Sequence, residues 1–283
     1  MDGQECGDIA DGRTVGRRPF LAATTAWGSL AVSGCVGRPW GEEQTTAWTE
    51  QYDPPGGGQV TVENIDGPVT VRGADRGTIE LSVEKRSTDG DALDRSRVRA
   101  EHDGDGFAVR AEHVDGPGAE PPTVELLVTV PRTYPVERVW TVNGDVSVDG
   151  TRGDLWTGTV NGDVDVDGVR GYVTIEAKNG DLSATRTTGI DDLSVSNGDV
   201  DADVRAIRSD SRIETTNGDV DVRLGPGLDA EIRAEATSGR VDADGVPLEN
   251  ASRVPRTATG SLGEGSRQLT AETANGVVTL SML

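Results

Sequence analysis

The chain has 283 residues, 34% hydrophobic and 27% charged, enough for one large all-β domain or two ordinary ones and typical of soluble folded proteins rather than disordered polymer. Acidic residues outnumber basic ones 49 to 27, and a formal charge of −22 argues against unaided binding to an anionic lipid surface and excludes nucleic acid, both of which reward Lys/Arg clusters. Aromatics make up only 4%, so any core is thin.

The N-terminal segment reads as an address. Gly16-Arg17-Arg18-Pro19-Phe20-Leu21 opens an uncharged run from Pro19 to Ser33 that closes on Val32-Ser33-Gly34-Cys35. An apolar run of about 15 residues falls short of the ~20 needed to span a bilayer as a helix. The twin arginines, apolar middle and small residues before a cysteine predict an export signal over residues 1–35, with Cys35 as the lipid-bearing first residue of the mature chain. The expected location is extracytoplasmic, on the outer face of the cell membrane, held to membrane lipid through Cys35. Cys6 lies upstream and leaves with the signal, so the mature chain can form no internal disulfide. Residues 36–58, with Pro54-Pro55-Gly56-Gly57-Gly58, read as a flexible tether.

From Gln59 the chain turns to β-strand. The stretch 59–136 holds alternating runs: Val60–Glu63, Val69–Val71, Ile79–Val83, Phe107–Arg110 and Val124–Pro131, joined by turn-rich linkers such as Asp103-Gly104-Asp105-Gly106. Residues 137–283 repeat. Asn143-Gly144, Asn161-Gly162, Asn179-Gly180, Asn197-Gly198 and Asn217-Gly218 each precede Asp and then Val or Leu, and the asparagines lie 18, 18, 18 and 20 residues apart. Degenerate copies follow at Ser238-Gly239 and Asn275-Gly276. A period near 20 signals a solenoid or a regular array.

Apolar residues alternate on both sides of each Asn-Gly: Leu155, Thr157 and Thr159 before it and Val164 and Val166 after it, with matching sets in the other units. This is the pattern of two short strands per unit, each with one buried and one wet face. An Asn-Gly pair also suits a two-residue hairpin, so an antiparallel meander or sandwich is the rival architecture. Cover favours the solenoid, because no amphipathic helix pattern is present to shield the apolar face of a single sheet. The expected body is therefore an all-β solenoid of stacked 18–21-residue, two-strand coils, with 59–136 as its irregular N-terminal part and 59–283 forming one continuous domain. The stretch between Val246 and Gln268 reads as a surface loop carrying the candidate glycosylation site Asn250-Ala251-Ser252.

The Val-Glu-Asn-x-x-Gly strand at Val62–Gly67, the strand ending Val130-Pro131 and the repeated small-x-Asn-Gly-Asp-Val coils together resemble the putative-adhesin family with β-strand repeats, the domain of unknown function 4097 type. The resemblance covers roughly Gln59 to Leu283 and implies a β-solenoid in the cell envelope, with no catalytic residues to carry over. Only two lysines, Lys85 and Lys178, accompany the abundant Asp, a bias that resembles the proteins of salt-loving archaea.

No catalytic constellation, cofactor motif or metal site emerges from the spacing. Asp163-x-Asp165-x-Asp167-Gly168 matches the first half of a calcium loop, but Thr174 stands where its glutamate belongs, so Ca²⁺ at Asp163, Asp165 and Asp167 is an alternative to a solvated acidic face. Stacked units would align Asp145, Asp163, Asp181, Asp199 and Asp219 in one column about 4.8 Å apart. The functional expectation is a non-catalytic adhesin-like surface or scaffold module contacting envelope glycans or proteins. The alternatives are a polysaccharide-active β-helix hydrolase or lyase and a calcium-stabilised adhesin. A partly buried carboxylate cluster converging in a groove would favour the enzyme.

Overall fold

The computed structural model describes residues 43–113 and 121–283. The export signal, with Arg17, Arg18 and Cys35, and residues 36–42 of the tether lie outside the described residues.

The strands run β1 (Gln44–Tyr52), β2 (Val60–Glu63), β3 (Val69–Ala74) and β4 (Ile79–Ser87), followed by a six-residue helix α1 (Gly90–Arg95). Then come β5 (Ser96–Asp103), β6 (Gly106–His113) and β7 (Thr123–Pro131). Five two-strand rungs follow: β8 (Val136–Asn143) with β9 (Val146–Asp149), β10 (Leu155–Asn161) with β11 (Val164–Asp167), β12 (Tyr172–Asn179) with β13 (Leu182–Thr185), β14 (Gly189–Asn197) with β15 (Val200–Val204), and β16 (Ser211–Asn217) with β17 (Val220–Leu224). The chain closes with β18 (Ala230–Asp242), β19 (Glu249–Val254), β20 (Thr257–Leu262) and β21 (Gln268–Met282).

The rungs stack in parallel register, so the body is a solenoid and the meander alternative fails. One stack runs β6–β2–β8–β10–β12–β14–β16–β21–β18 and the other β7–β3–β9–β11–β13–β15–β17–β21–β18. The long strands β18 and β21 pass through both stacks and join them into one hydrogen-bonded sheet. Antiparallel strands cover the ends: β5 on β6, β4 on β7 with β1 on β4, and β20 on β18 with β19 on β20. Such atypical end coils keep a parallel stack from presenting an open edge of its own repeat.

Spatial order departs from chain order at both ends. β2–β3 lies between β6–β7 and β8–β9, although β4 to β7 come between them in the sequence. At the other end β21 lies between β16–β17 and β18. The degenerate repeats therefore stack as Asn217, Asn275, Ser238, and not in the order the sequence suggests.

The inward residues are mainly Val, Ala, Leu, Ile and Thr, and residues from both stacks make one buried cluster that includes Val139, Val146, Leu155, Val166, Ile175 and Leu193. Among the largest fully buried side chains of the described residues Phe107 is the one aromatic, as expected for a narrow interior. Two stretches are more ordered than the sequence suggests. Within 36–58, Gln44–Tyr52 is a strand paired along its whole length with β4, its Trp48 and Tyr52 packed against the core. Its Thr, Trp and Tyr residues favour extended backbone even beside the Pro/Gly run. The stretch 246–268 is not a loop but contains the β19–β20 hairpin, whose Asn250 is exposed at a register shift with φ 51.

Candidate functional site

Each Asn-Gly bends the chain from one stack into the other. Only the glycines take positive φ there, for example 127° at Gly180, and the asparagines do not, which separates these bends from hairpin turns. The aligned asparagines form a side-chain ladder: the Nδ2 of Asn161, Asn179, Asn197, Asn217 and Asn275 donates to the Oδ1 of Asn143, Asn161, Asn179, Asn197 and Asn217 in turn, at 2.8–2.9 Å. Beneath it, buried Thr141, Thr159, Thr215 and Thr273 donate to the carbonyls of Gly67, Gly144, Gly198 and Gly218. Asp66-Gly67 is thus a further rung bend, masked in the sequence by Pro68 where the repeat has Asp.

The aspartates align as expected but are not merely solvated. One carboxylate oxygen of Asp145, Asp163, Asp181 and Asp199 accepts the backbone N–H of the next aspartate at 2.8–2.9 Å, and Asp219 accepts that of Val277. Hydrogen bonds to a charged group contribute roughly 1.5–3 kcal/mol. Repulsion between carboxylates one rung apart is about 0.9 kcal/mol in a water-like dielectric, so the hydrogen bonds win. Asp181→Ala should destabilise by about 1–2 kcal/mol. Asp181→Asn, which keeps the acceptor without the charge, should match or exceed the parent at low salt and lose any advantage near 1 M NaCl, read from urea midpoints.

The calcium-loop residues do not converge. Asp163 is engaged with Asp181, Asp165 faces outward on β11, and Asp167 accepts from Thr185 at 2.8 Å and pairs with Arg186. Among the described residues no group of three or more His, Cys, Asp or Glu side chains is placed to hold a metal ion. His102 and His113 sit at opposite ends of the β5–β6 pair, opposite Phe107 and Ser96.

Two features occupy the outward face of the β8-to-β21 stack. Trp140, Trp156 and Tyr172 lie on three successive rungs, each shifted two residues, which draws a diagonal of rings across the sheet. The indoles stack with centroids 5.1 Å apart, Arg138 lies over Trp156 at 4.2 Å and Arg208 over Tyr172 at 4.5 Å. Gly158 makes room for the stack, since a Cβ there would lie 2.7 Å from the Trp140 ring. Arg208 also bonds Asp154 and Asp191, clasping separate rungs.

Further along the same face is a groove of about 370 Å³ lined by Ser194, Ser196, Glu214, Thr216, Glu272 and Glu235, among others. Glu214, Glu272 and Glu235 are in-register neighbours on β16, β21 and β18. Ser194 donates to Glu214 at 2.9 Å, and Arg212 reaches Glu272 at 3.0 Å and Glu214 at 3.5 Å. Burial pushes the Glu272 carboxyl above the usual carboxylate range, helped by a hydrogen bond with Glu214 and by the Glu214 and Glu235 charges, while Arg212 opposes the shift. A raised folded-state value means that protonated Glu272 favours the fold: the contribution is complete below the unfolded value and is lost as pH rises through the folded one. Glu272→Gln should therefore raise the melting temperature at pH 7 and narrow the gap between pH 4.5 and pH 7, measured by calorimetry.

Sequence reasoning missed this groove because Glu214 and Glu272 are 58 residues apart and adjoin only through the insertion of β21. The available signal was their common position, three residues before Asn217 and Asn275, with Glu235 three before Ser238. Likewise Trp140 and Trp156 could have been placed on one face by their offsets from Asn143 and Asn161.

These observations define a class: a self-stacked β-solenoid with Asn and Asp ladders at its bends and a polar outer face bearing an aromatic patch and an acidic groove. The chain belongs to the Toastrack DUF4097 family, whose model matches residues 125–281. No functionally curated protein matches it. Similar solved structures include a putative cell adhesion protein from Clostridium sporogenes ATCC 15579, at 12% identity over 85% of this chain and 100% of that one, TM-score 0.36. A putative adhesin from Bacteroides fragilis NCTC 9343 is similar at 11% identity over 84% and 97%, TM-score 0.42. A putative lipid binding protein from Parabacteroides distasonis ATCC 8503 matches at 10% identity over 84% and 97%, TM-score 0.42.

Proposed function

We propose that this protein is an exported, lipid-anchored, adhesin-like module that displays the outer face of its solenoid to extended ligands of the cell envelope, glycans foremost. The observation that carries the reading is the single face shared by the Trp140–Trp156–Tyr172 diagonal and the Ser/Thr/Glu groove. Aromatic rings offer apolar area to the C–H faces of sugars, and hydroxyls and carboxylates hydrogen-bond sugar hydroxyls. A net charge of −22 favours neutral or cationic glycans over acidic ones.

Two measurements test it. Fractionation of cells carrying the parent or Cys35→Ala should find the parent in the membrane and the variant in the medium; release of both alike contradicts the anchor. On an array of neutral and amino-sugar glycans, Trp156→Ala should lower binding by about tenfold, the loss of roughly 1.4 kcal/mol, without shifting the melting temperature by more than a few degrees. Equal binding by both proteins contradicts the face assignment.

A second reading, glycan hydrolysis, is favoured by one observation: the half-buried, adjacent pair Glu214 and Glu272, of which burial pushes the Glu272 carboxyl above the usual carboxylate range, resembles the acid and base of glycoside cleavage. Arg212 bonds both carboxylates and so weighs against that chemistry. Release of reducing sugar by the parent and its loss in Glu272→Gln would replace the binding reading with the hydrolytic one.

A further inference from the structure

β21 reaches its place by a route that the five regular rungs do not take. It enters a slot whose two walls, β16–β17 and β18, are already laid down earlier in the chain, and it pairs with both. Ser211↔Leu269 to Asn217↔Asn275 and Val220↔Val278 to Leu224↔Met282 register one wall, and Glu231↔Gln268 to Asp242↔Thr279 the other. We infer that this slot is a strand-acceptor site that takes β21 from a second copy as well as from its own chain, giving a reciprocal strand-exchanged dimer. The inference is independent of what the outer face binds.

Three features carry it. First, every contact of β21 with the slot is the same whichever copy supplies the strand: the Asn217–Asn275 amide bond, the Asp219 bond to the Val277 N–H, the Thr273 bond to the Gly218 carbonyl and the buried Leu269, Ala271, Val278 and Leu280. Exchange therefore changes only the connecting segment, which is the condition for low-cost domain swapping. Second, β18 is joined to β16–β17 through β21, so until a β21 arrives the β16–β17 edge and the facing edge of β18 are unpaired parallel edges that match this strand.

Third, the connection is short and has far to go. Leu262 lies beside Ala230 on one edge of β18, and Gln268 lies beside Glu231 on the opposite edge. Residues 263–267 must carry the chain around β18, two strand spacings or about 9.6 Å in a straight line and more on the path around the backbone. Gly263 and Gly265 take positive φ (65° and 68°), and Asp229 pins the crossover by accepting from the Gly265 N–H at 2.7 Å and the Ser266 hydroxyl at 2.9 Å. Six Cα steps reach at most about 20 Å, whereas three reach only about 11 Å. The natural crossover therefore permits insertion into its own slot, and a crossover three residues shorter forbids it.

A tethered strand acts at an effective concentration near ~1 mM, so the monomer dominates in dilute solution and exchange is expected after refolding at high protein concentration. The test uses the full chain with Cys6→Ser and Cys35→Ser. One protein carries Asn217→Cys and another Asn275→Cys; they are unfolded, mixed, refolded near 1 mM and oxidised. The expected result is a disulfide-linked heterodimer on a non-reducing gel, absent when each protein is refolded separately before mixing. Deletion of residues 263–265 should convert the bulk of the protein to a dimer of twice the monomer mass by light scattering, with the parent's circular dichroism. Free thiols alone after co-refolding would overturn the inference, as would a shortened chain that stays monomeric and folded.

Discussion

Ending the chain at Ser266 is expected to unfold far more than the rung it removes. β21 is the contact between β18 and the rest of both stacks, so its loss strands β18 and the β19–β20 hairpin as well as opening β16 and β17. Leu269, Ala271, Val278 and Leu280 are buried, and truncating one buried leucine to alanine already costs about 2–5 kcal/mol. The loss should exceed ~5 kcal/mol, a large share of the 5–15 kcal/mol that holds an ordinary domain. Amide exchange should show residues 230–262 unprotected and the rungs from β8 to β15 still protected, in keeping with the nearest-neighbour energetics of a repeat stack. By contrast, replacing exposed Glu249–Val254, an edge strand paired on one side, by a short Gly/Ser loop should cost about 1 kcal/mol or less. If the chain were stacked in sequence order, deletion of the last element would be the mild change.

Gly180→Val should be among the most damaging single substitutions at the bends. A Cβ at Gly180 would lie 1.9 Å from the Gly162 carbonyl oxygen, and the φ of 127° is one that side chains rarely adopt. The neighbouring bends above and below repeat the same close approach, with Gly162 over Gly144 at 2.2 Å and Gly198 over Gly180 at 2.0 Å, so the clash cannot be relieved by moving one rung. Strained backbone costs about 1–3 kcal/mol and the displaced stack adds lost ladder bonds, so the unfolding free energy should fall by more than about 3 kcal/mol. A matched change at Gly77, where a Cβ meets nothing within 4 Å, should leave stability within about 0.5 kcal/mol of the parent. Urea midpoints of the two variants provide the comparison.

Much of this fold is written locally. The alternation around each Asn-Gly identified β8 to β17, and Val60–Glu63 and Val124–Pro131 foreshadowed β2 and β7, because a buried face and a wet face impose period two on any half-buried strand. β5 was not legible: Ser-Arg-Val-Arg-Ala-Glu-His-Asp is an edge strand whose charged residues guard an open side and dilute the apolar signal. The interleaving of β2–β3 and of β21 was not legible either, since a repeat specifies what a rung stacks on but not which copy, and Asn275 fits against Asn217 as well as Ser238 would. The groove inherits that ambiguity, because Glu272 joins Glu214 and Glu235 only through it. The aspartate column was visible, but its role was understated: spacing reveals like charges in a row, whereas the N–H that each carboxylate accepts appears only once the bends are in three dimensions.

Paired cysteines in oxidised protein, on a Cys6→Ser, Cys35→Ser background and at micromolar concentration, read the stacking order directly. Neighbouring rungs place Cα atoms about 4.8 Å apart, inside disulfide reach, while rungs once removed lie about 9.6 Å apart, beyond it. Asn217→Cys with Asn275→Cys should close an intramolecular disulfide, and Asn217→Cys with Ser238→Cys should remain reduced. The reverse outcome, closure between 217 and 238 and none between 217 and 275, would contradict the interleaved solenoid.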